Sequence, residues 1–130
     1  MPEADVRQAD VLLKLLEMYN REPMERARRW VFHELKVKDY AEYKRRYGAF
    51  SPERDQLDRL ANFYEVGGVL VNRGLLHEDL FFEVFPVRRT WEHTKAIVLG
   101  MRAEIDQHLY ENFEQLYERF LDWDRRHPAG

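Results

Sequence analysis

Apolar residues recur at every third or fourth position along most of the chain, which is the spacing of one face of an α-helix. The first such stripe predicts a helix over about residues 4–20, and Pro23 can begin a second helix. A short helix is expected around residues 39–47, where Gly48 can end it. Because alternating strand patterns are lacking, the sequence predicts an all-α fold.

The clearest helix start lies at the sequence Phe-Ser-Pro-Glu. Ser51 can accept a hydrogen bond from the first turn, and Pro52 suits the first helical position. The apolar stripe that follows continues to Val71, and Gly74 lies just beyond its end. A long helix over about residues 52–73 is therefore predicted.

Three further helices are expected in the second half of the chain. The apolar segment 77–85 predicts a short helix, Pro86 breaks it, and the next helix is expected over 87–107 with Ile105 in its buried stripe. A last helix is expected over 110–126. We expect a single domain spanning residues 1–130, built as a bundle of five or six antiparallel helices, with the helix at about 52–73 at its centre.

The segment 63–71 is apolar on nearly every side when it is projected as a helix, which is typical of a helix surrounded by neighbours. It contains two adjacent glycines, Gly67 and Gly68. Each glycine in a helix interior costs about 1 kcal/mol relative to alanine. Close approach of another helix would offset this cost, and a glycine-lined hole for a small ligand is the alternative.

Glu65 carries the only charge between Leu60 and Arg73. A buried carboxylate is costly unless it is paired or protonated. Arg102 projects into the apolar stripe of a later helix, so we hypothesise an ion pair between Glu65 and Arg102. Such a pair would join two helices, or it would help to bind a small ligand near Trp91.

The composition supports a folded protein and places few limits on its function. Of the 130 residues, 45% are hydrophobic and 35% are charged, and cysteine is absent. The chain therefore has no disulfides or thiolate metal sites. The N-terminus lacks the pattern of a secretory signal, and no uncharged stretch approaches the ~18 residues of a membrane helix. A soluble, cytoplasmic protein is the expectation.

Motifs for catalysis and metal binding are lacking. None of the five histidines completes a Glu-x-x-His motif. Glu104 and His108 are four residues apart and could share a helix face, but such pairs are common on solvated surfaces. The single serine, Ser51, already has a helix-capping role. We therefore expect no enzymatic activity, no metal and no cofactor.

The segment 21–48 is basic, with nine Lys or Arg against five Asp or Glu, although the whole chain has a net charge of −3. Its basic clusters stand beside aromatic residues, a combination that can neutralise phosphates and stack bases. The alternative is a solvated helix face of mixed charge. The candidate residues are Arg26, Arg28, Arg29, Lys44, Arg45 and Arg46.

The segment 75–86 is the best candidate for an interaction surface. The chain has eighteen aromatic residues, and a bundle of this size need not bury all of them. The sequence Leu-Leu-His-Glu-Asp-Leu-Phe-Phe-Glu-Val-Phe-Pro is rich in them. It predicts either a binding or self-association face, or a short helix that closes the end of the core.

From about residue 57 to residue 121 the chain resembles a family of small helical bacterial proteins known as a domain of unknown function. The resemblance rests on the sequence FYEVGGVLVNRGLLHEDLFFEVF and on YENFEQL. The matching positions are Glu65, Gly67, Gly74, Trp91, Arg102, Tyr110, Phe113 and Glu114. The resemblance implies a helical fold and no particular activity. Some members of the family carry a membrane segment before the domain, and no such segment is visible here.

These observations favour a protein-interaction or regulatory module without catalysis, which binds a protein partner or a second copy of itself through 75–86 and binds no membrane. The alternative is a nucleic-acid-associated regulator that uses the basic segment 21–48. A third hypothesis is a small-ligand site near Glu65, Trp91 and Arg102.

Overall fold

A computed structural model describes residues 5–129 of the chain, and in that range all regular structure is helical. The all-α fold class is confirmed. The described residues form seven helices rather than five or six, and two of them have only seven residues each. The helices are α1 (Val6–Tyr19), α2 (Glu22–His33), α3 (Tyr40–Arg46), α4 (Pro52–Asn72), α5 (Glu78–Val84), α6 (Val87–Glu104) and α7 (Glu111–Arg126).

Short polar side chains begin three of the helices. Asp5, Asp39 and Ser51 each accept a hydrogen bond from a backbone N–H of the first turn that follows. Pro52 takes the first position of α4, as the sequence predicts. Each cap satisfies one of the N–H groups that a helix start leaves without an internal partner.

The long helix α4 lies at the centre of the fold, with α7 and α2 as its main neighbours. Eight of its residues are buried: Leu57, Leu60, Ala61, Phe63, Tyr64, Gly67, Gly68 and Val71. The prediction of a helix enclosed on every side is wrong at Val66, whose side chain is 47% exposed. The helix α4 therefore keeps a narrow solvent-facing strip along an otherwise enclosed surface.

Three glycines allow close packing between elements. A Cβ atom added at Gly67 would lie 2.5 Å from the ring of Phe81, and one added at Gly68 would collide with the backbone carbonyl of Asn112. The adjacent glycines therefore admit α5 on one side and the start of α7 on the other. At Gly100 the Tyr40 side chain occupies the space where an added Cβ atom would lie, and the sequence does not predict this contact.

The helix α6 ends three residues earlier than the sequence predicts. It stops at Glu104, and Ile105 is 64% exposed rather than part of the buried stripe. The chain then turns through residues 105–110, and Tyr110 adopts a left-handed conformation with φ of 57°. This turn ends α6 before Ile105 can reach the core and reverses the chain into α7.

No helix in residues 5–129 is both long enough and apolar enough to cross a membrane.

We predict that Gly68→Ala lowers the free energy of unfolding by roughly 1–2 kcal/mol in urea denaturation. The added methyl group meets a backbone carbonyl that cannot rotate away, and this strain exceeds the helix-propensity gain of about 1 kcal/mol. Gly48→Ala is the control, since a Cβ there has no heavy atom within 4 Å. Equal stability of the two variants would contradict the close packing at Gly68.

Candidate functional site

The carboxylate of Glu65 binds the beginning of α7. Its two oxygens accept hydrogen bonds from the backbone N–H of Phe113 and from the side-chain amide of Asn112, both at 2.9 Å. The N-cap residue Tyr110 supplies no side-chain hydrogen bond to this helix. Glu65 on α4 therefore caps the start of α7, a role that the side chain of a helix's own N-cap residue ordinarily has.

Arg102 binds the turn that precedes α7. Its guanidinium donates to the carbonyl oxygens of Leu109 at 2.7 Å and Tyr110 at 3.1 Å, and it forms an ion pair with Glu114. The predicted pair between Glu65 and Arg102 is therefore wrong, because no contact joins these two side chains among the described ion pairs and hydrogen bonds. The carboxylate of Glu65 accepts hydrogen bonds from donors at the start of α7, and the guanidinium of Arg102 donates to acceptors in the preceding turn.

Trp91, the third residue of the predicted ligand site, is buried in the core. It packs edge-on against Phe113 with 5.1 Å between ring centroids, and the guanidinium of Arg102 lies 5.9 Å from its ring. The space beside Gly67 and Gly68 holds Phe81 and Asn112. The structure thus brings the predicted site residues together as a packed junction, and ligand binding there stays a prediction.

The basic residues of α2 are largely engaged within the protein. Arg26 pairs with Glu22 and Arg29 with Glu25, each at 2.7 Å across one helical turn. Arg28 instead lies with its guanidinium 4.1 Å from the centroid of the Tyr19 ring and donates to the Tyr19 carbonyl. Neighbouring arginines of this helix therefore differ sharply in whether their charge is neutralised.

The basic residues of α3 lie apart from those of α2. Lys44 pairs with Glu104 at 3.1 Å, and Arg46 donates to the carbonyl of Lys36 at 3.2 Å. Arg45 is exposed, with no ion pair among residues 5–129. The six predicted residues do not share one helix, and recognition of nucleic acid by the segment 21–48 stays a prediction.

The segment 75–86 does close the core, as one of its two interpretations predicts. Phe81 lies among Phe63, Tyr64 and Phe85, with centroid separations of 4.8–6.5 Å. Val84 faces the other way and is 41% exposed. Four large apolar residues within five positions of a short helix cannot all face the same side, so one of them is left on the surface.

A groove of about 890 Å³ lies where α5 turns into α6 at Pro86. Its apolar lining residues, which we call the floor, lie beside charged residues, and ligand sites in proteins commonly combine the two. The apolar part of its lining consists of Phe82, Val84, Phe85, Pro86, Val87 and Phe120. The groove thus combines the predicted segment 75–86 with residues of α6 and α7 that the sequence analysis did not assign to a site.

Charged residues from the end of α5 and the first turns of α6 border the groove. Arg88 is shared between Glu92 at 3.5 Å and Asp124 at 3.6 Å. The guanidinium of Arg89 lies 4.1 Å from the centroid of the Phe32 ring and has no carboxylate within 4 Å in residues 5–129. The signal in the sequence that could have found this border is the adjacent pair Arg88 and Arg89, which follows Val87.

Asp58 of α4 is a half-buried carboxylate away from the groove. It accepts a hydrogen bond from the Tyr110 hydroxyl at 3.1 Å. Burial raises the pKa of Asp58, and the Tyr110 hydrogen bond offsets part of this increase. In the described part of the chain, no group of three or more His, Asp and Glu side chains could hold a metal ion.

A family model described as a domain of unknown function, DUF4760, matches residues 4–120. The chain belongs to this family. The family model matches the chain from residue 4, whereas the resemblance described under Sequence analysis begins at about residue 57. No curated protein and no solved structure matches the chain. Membership of DUF4760 assigns no activity, so function must be argued from the surface itself.

We predict that Glu65→Gln lowers the free energy of unfolding by about 1–3 kcal/mol in urea denaturation. The amide retains one acceptor oxygen but loses the charge, and it presents an N–H₂ group to a backbone donor. Glu118→Gln, at an exposed position of α7, is the matched control and should change stability by less than about 0.5 kcal/mol. A Glu65→Gln protein as stable as this control would show that the cap is dispensable.

We predict that the stability of Asp58→Asn relative to the unmodified protein increases with pH. A carboxyl group with a raised pKa in the folded state stabilises the fold at low pH, and this contribution is lost as pH rises from its ordinary value of 3.8 through the raised value. Asparagine does not titrate. Urea denaturation at several pH values measures the difference, and a difference that is constant or decreases with pH would refute the assignment.

Proposed function

We propose that this member of the DUF4760 family is a protein-binding module that acts without catalysis. In this proposal the groove at Pro86 seats an apolar segment of a partner protein that carries acidic residues at one end. The observation that supports the proposal is the groove itself, whose lining is mainly apolar and includes Arg89, an arginine with no carboxylate within 4 Å among residues 5–129. The cytoplasmic location expected from the sequence stays a prediction.

The floor of the groove is held in place before any partner arrives. Phe82 packs against Phe120 and Trp123 with centroid separations of 5.3 and 5.5 Å. The indole of Trp123 donates a hydrogen bond to Asp79 at 2.6 Å. Since these side chains are already ordered, little conformational entropy is lost when an apolar segment covers them. Covering Val84 and Pro86 removes apolar surface from water, which contributes about 25 cal/mol per Å².

The charge at the edge of the groove favours an acidic partner. Arg89 is fixed over Phe32, and its unpaired guanidinium can bind a carboxylate through two parallel hydrogen bonds. Arg88, by contrast, already has two carboxylate neighbours. An apolar segment with acids on the side of Arg89 therefore matches both the floor and the border of the groove. Binding of a second copy of this chain is an alternative outcome of the test.

We predict that Val84→Asp weakens binding of groove-directed peptides at least roughly tenfold, since a buried carboxylate without a partner is costly. The peptides are selected from a random library against the unmodified protein, and their affinities are measured by calorimetry. The selected sequences should combine apolar residues with acids.

Leu99→Asp is the matched control. Leu99 is 40% exposed, close to the 41% of Val84, and lies on α6 outside the groove lining. The peptides should bind this variant with unchanged affinity. Failure to select any peptide, equal affinities for Val84→Asp and Leu99→Asp, or concentration-dependent dimerisation that Val84→Asp abolishes would each overturn the proposal.

A further inference from the structure

Another, smaller cleft shares Pro86 with the groove. It has a volume of about 280 Å³ and lies between α2 and the beginning of α6. Tyr19, Phe32 and Pro86 contribute its uncharged walls, and Arg89 and Pro86 are common to this cleft and the groove. We name it the arginine cleft, because three arginines line it: Arg28, Arg29 and Arg89.

Aromatic rings hold two of these arginines in place. The guanidinium of Arg28 lies 4.1 Å from the centroid of the Tyr19 ring, and that of Arg89 lies 4.1 Å from the centroid of the Phe32 ring. A cation over the face of an aromatic ring is attracted by its quadrupole. Contact with a ring leaves the edge of the planar guanidinium able to donate hydrogen bonds, and Arg28 already uses one Nη to donate to the Tyr19 carbonyl. The two groups are therefore oriented in advance of any ligand.

Positive charge in the arginine cleft exceeds the negative charge. Glu25 is the only carboxylate of its lining, and it already pairs with Arg29 at 2.7 Å. Neither Arg28 nor Arg89 has a carboxylate within 4 Å among residues 5–129. His33 also lines the cleft and can donate a further hydrogen bond. The cleft thus concentrates donors and positive charge, and at Arg28 and Arg89 this charge has no anionic partner within residues 5–129.

We propose that the arginine cleft binds a phosphate group, either as inorganic phosphate or as a phosphomonoester. Guanidinium groups match phosphate oxygens in a paired geometry. Arg28 and Arg89 come from different helices, so an anion between them must offer acceptor oxygens in two directions. Tetrahedral phosphate does this, whereas one arginine alone satisfies both oxygens of a carboxylate. A phosphate dianion also balances the surplus charge of the cleft better than a monoanion does.

The position of the arginine cleft suggests two sources of the phosphate. Because Arg89 belongs to both sites, a phosphorylated side chain next to an apolar segment in the groove would reach the cleft. Free inorganic phosphate or a small phosphomonoester would use the same donors. The phosphate chemistry is common to both sources and does not depend on whether the groove binds a partner.

The direct test is a titration with inorganic phosphate, followed by the NMR signals of the arginine Nε–H groups. Sodium acetate at the same ionic strength controls for screening of exposed charges. We expect saturable shifts of the Arg28 and Arg89 signals with phosphate and weaker, non-saturating changes with acetate. Shifts that are equal for the two anions, or that do not saturate with phosphate, would overturn the proposal.

Variants separate specific binding from general attraction. Arg89→Gln should weaken phosphate binding at least roughly tenfold, because it removes charge-assisted hydrogen bonds. Arg45→Gln removes the same charge at an exposed position on α3 and should leave the affinity unchanged. Glu25→Gln removes the only carboxylate of the cleft and should strengthen binding. Arg28 is left intact because it also holds Tyr19. Equal affinities for Arg89→Gln and Arg45→Gln would refute the site.

A final comparison identifies the source and keeps this proposal separate from the groove. One groove-directed peptide is prepared with and without a phosphoserine at its acidic end. If the phosphopeptide binds more tightly than the unphosphorylated peptide, and Val84→Asp weakens its binding, the phosphate is carried by a partner. If both peptides bind equally while inorganic phosphate binds saturably, the phosphate is a free one. Because Val84→Asp should not change the affinity for inorganic phosphate, the groove and the arginine cleft can fail independently.

Discussion

The docking of α7 on α4 holds much of this structure together. Tyr110 begins α7 in a left-handed conformation and provides no cap, so the carboxylate of Glu65 accepts the N–H of Phe113 instead. One turn later on α4, Gly68 leaves room for the Asn112 carbonyl. These two contacts fix the start of α7, and Phe113 then packs 5.1 Å from the ring of Tyr64. Because Phe120 lies farther along the same helix, the groove floor depends on this junction as well.

The sequence predicts this junction only in part, for a physical reason. The apolar surroundings of Glu65 show that its carboxylate needs a partner, and the glycine pair shows that another element approaches closely. The partner itself is a backbone N–H, which almost every residue possesses, so no residue type marks it. Charge alone points to Arg102, whose true acceptors include the carbonyls of Leu109 and Tyr110. The sequence therefore shows that Glu65 needs a partner, whereas the backbone group that becomes its partner depends on the turn at 105–110.

The groove shows a second limit of prediction from the sequence. Helical periodicity finds α5 and α6, and Pro86 marks the boundary between them, so the elements themselves are predictable. The exposure of Val84 follows from the faces of α5 itself, whereas the shape of the groove depends on how α5 and α6 meet. Pro86 has φ of −81° and ψ of 72°, backbone angles that hydrophobic periodicity does not encode. Phe120 then approaches from a helix that is distant in the sequence.

The distribution of charge follows from the same distinction between local and distant contacts. Glu22 with Arg26 and Glu25 with Arg29 are four residues apart, so their neutralisation can be read from spacing alone. Arg28 and Arg89 are distant in the sequence, have no carboxylate within 4 Å among residues 5–129, and are placed by the fold on one cleft. A count over the basic segment 21–48 therefore includes cations that are already paired and omits Arg89. The arginine cleft is one compact positive surface, formed by two helices, and Arg45 is a separate exposed cation on α3. The compact shape of the cleft suits the single anionic group proposed for it.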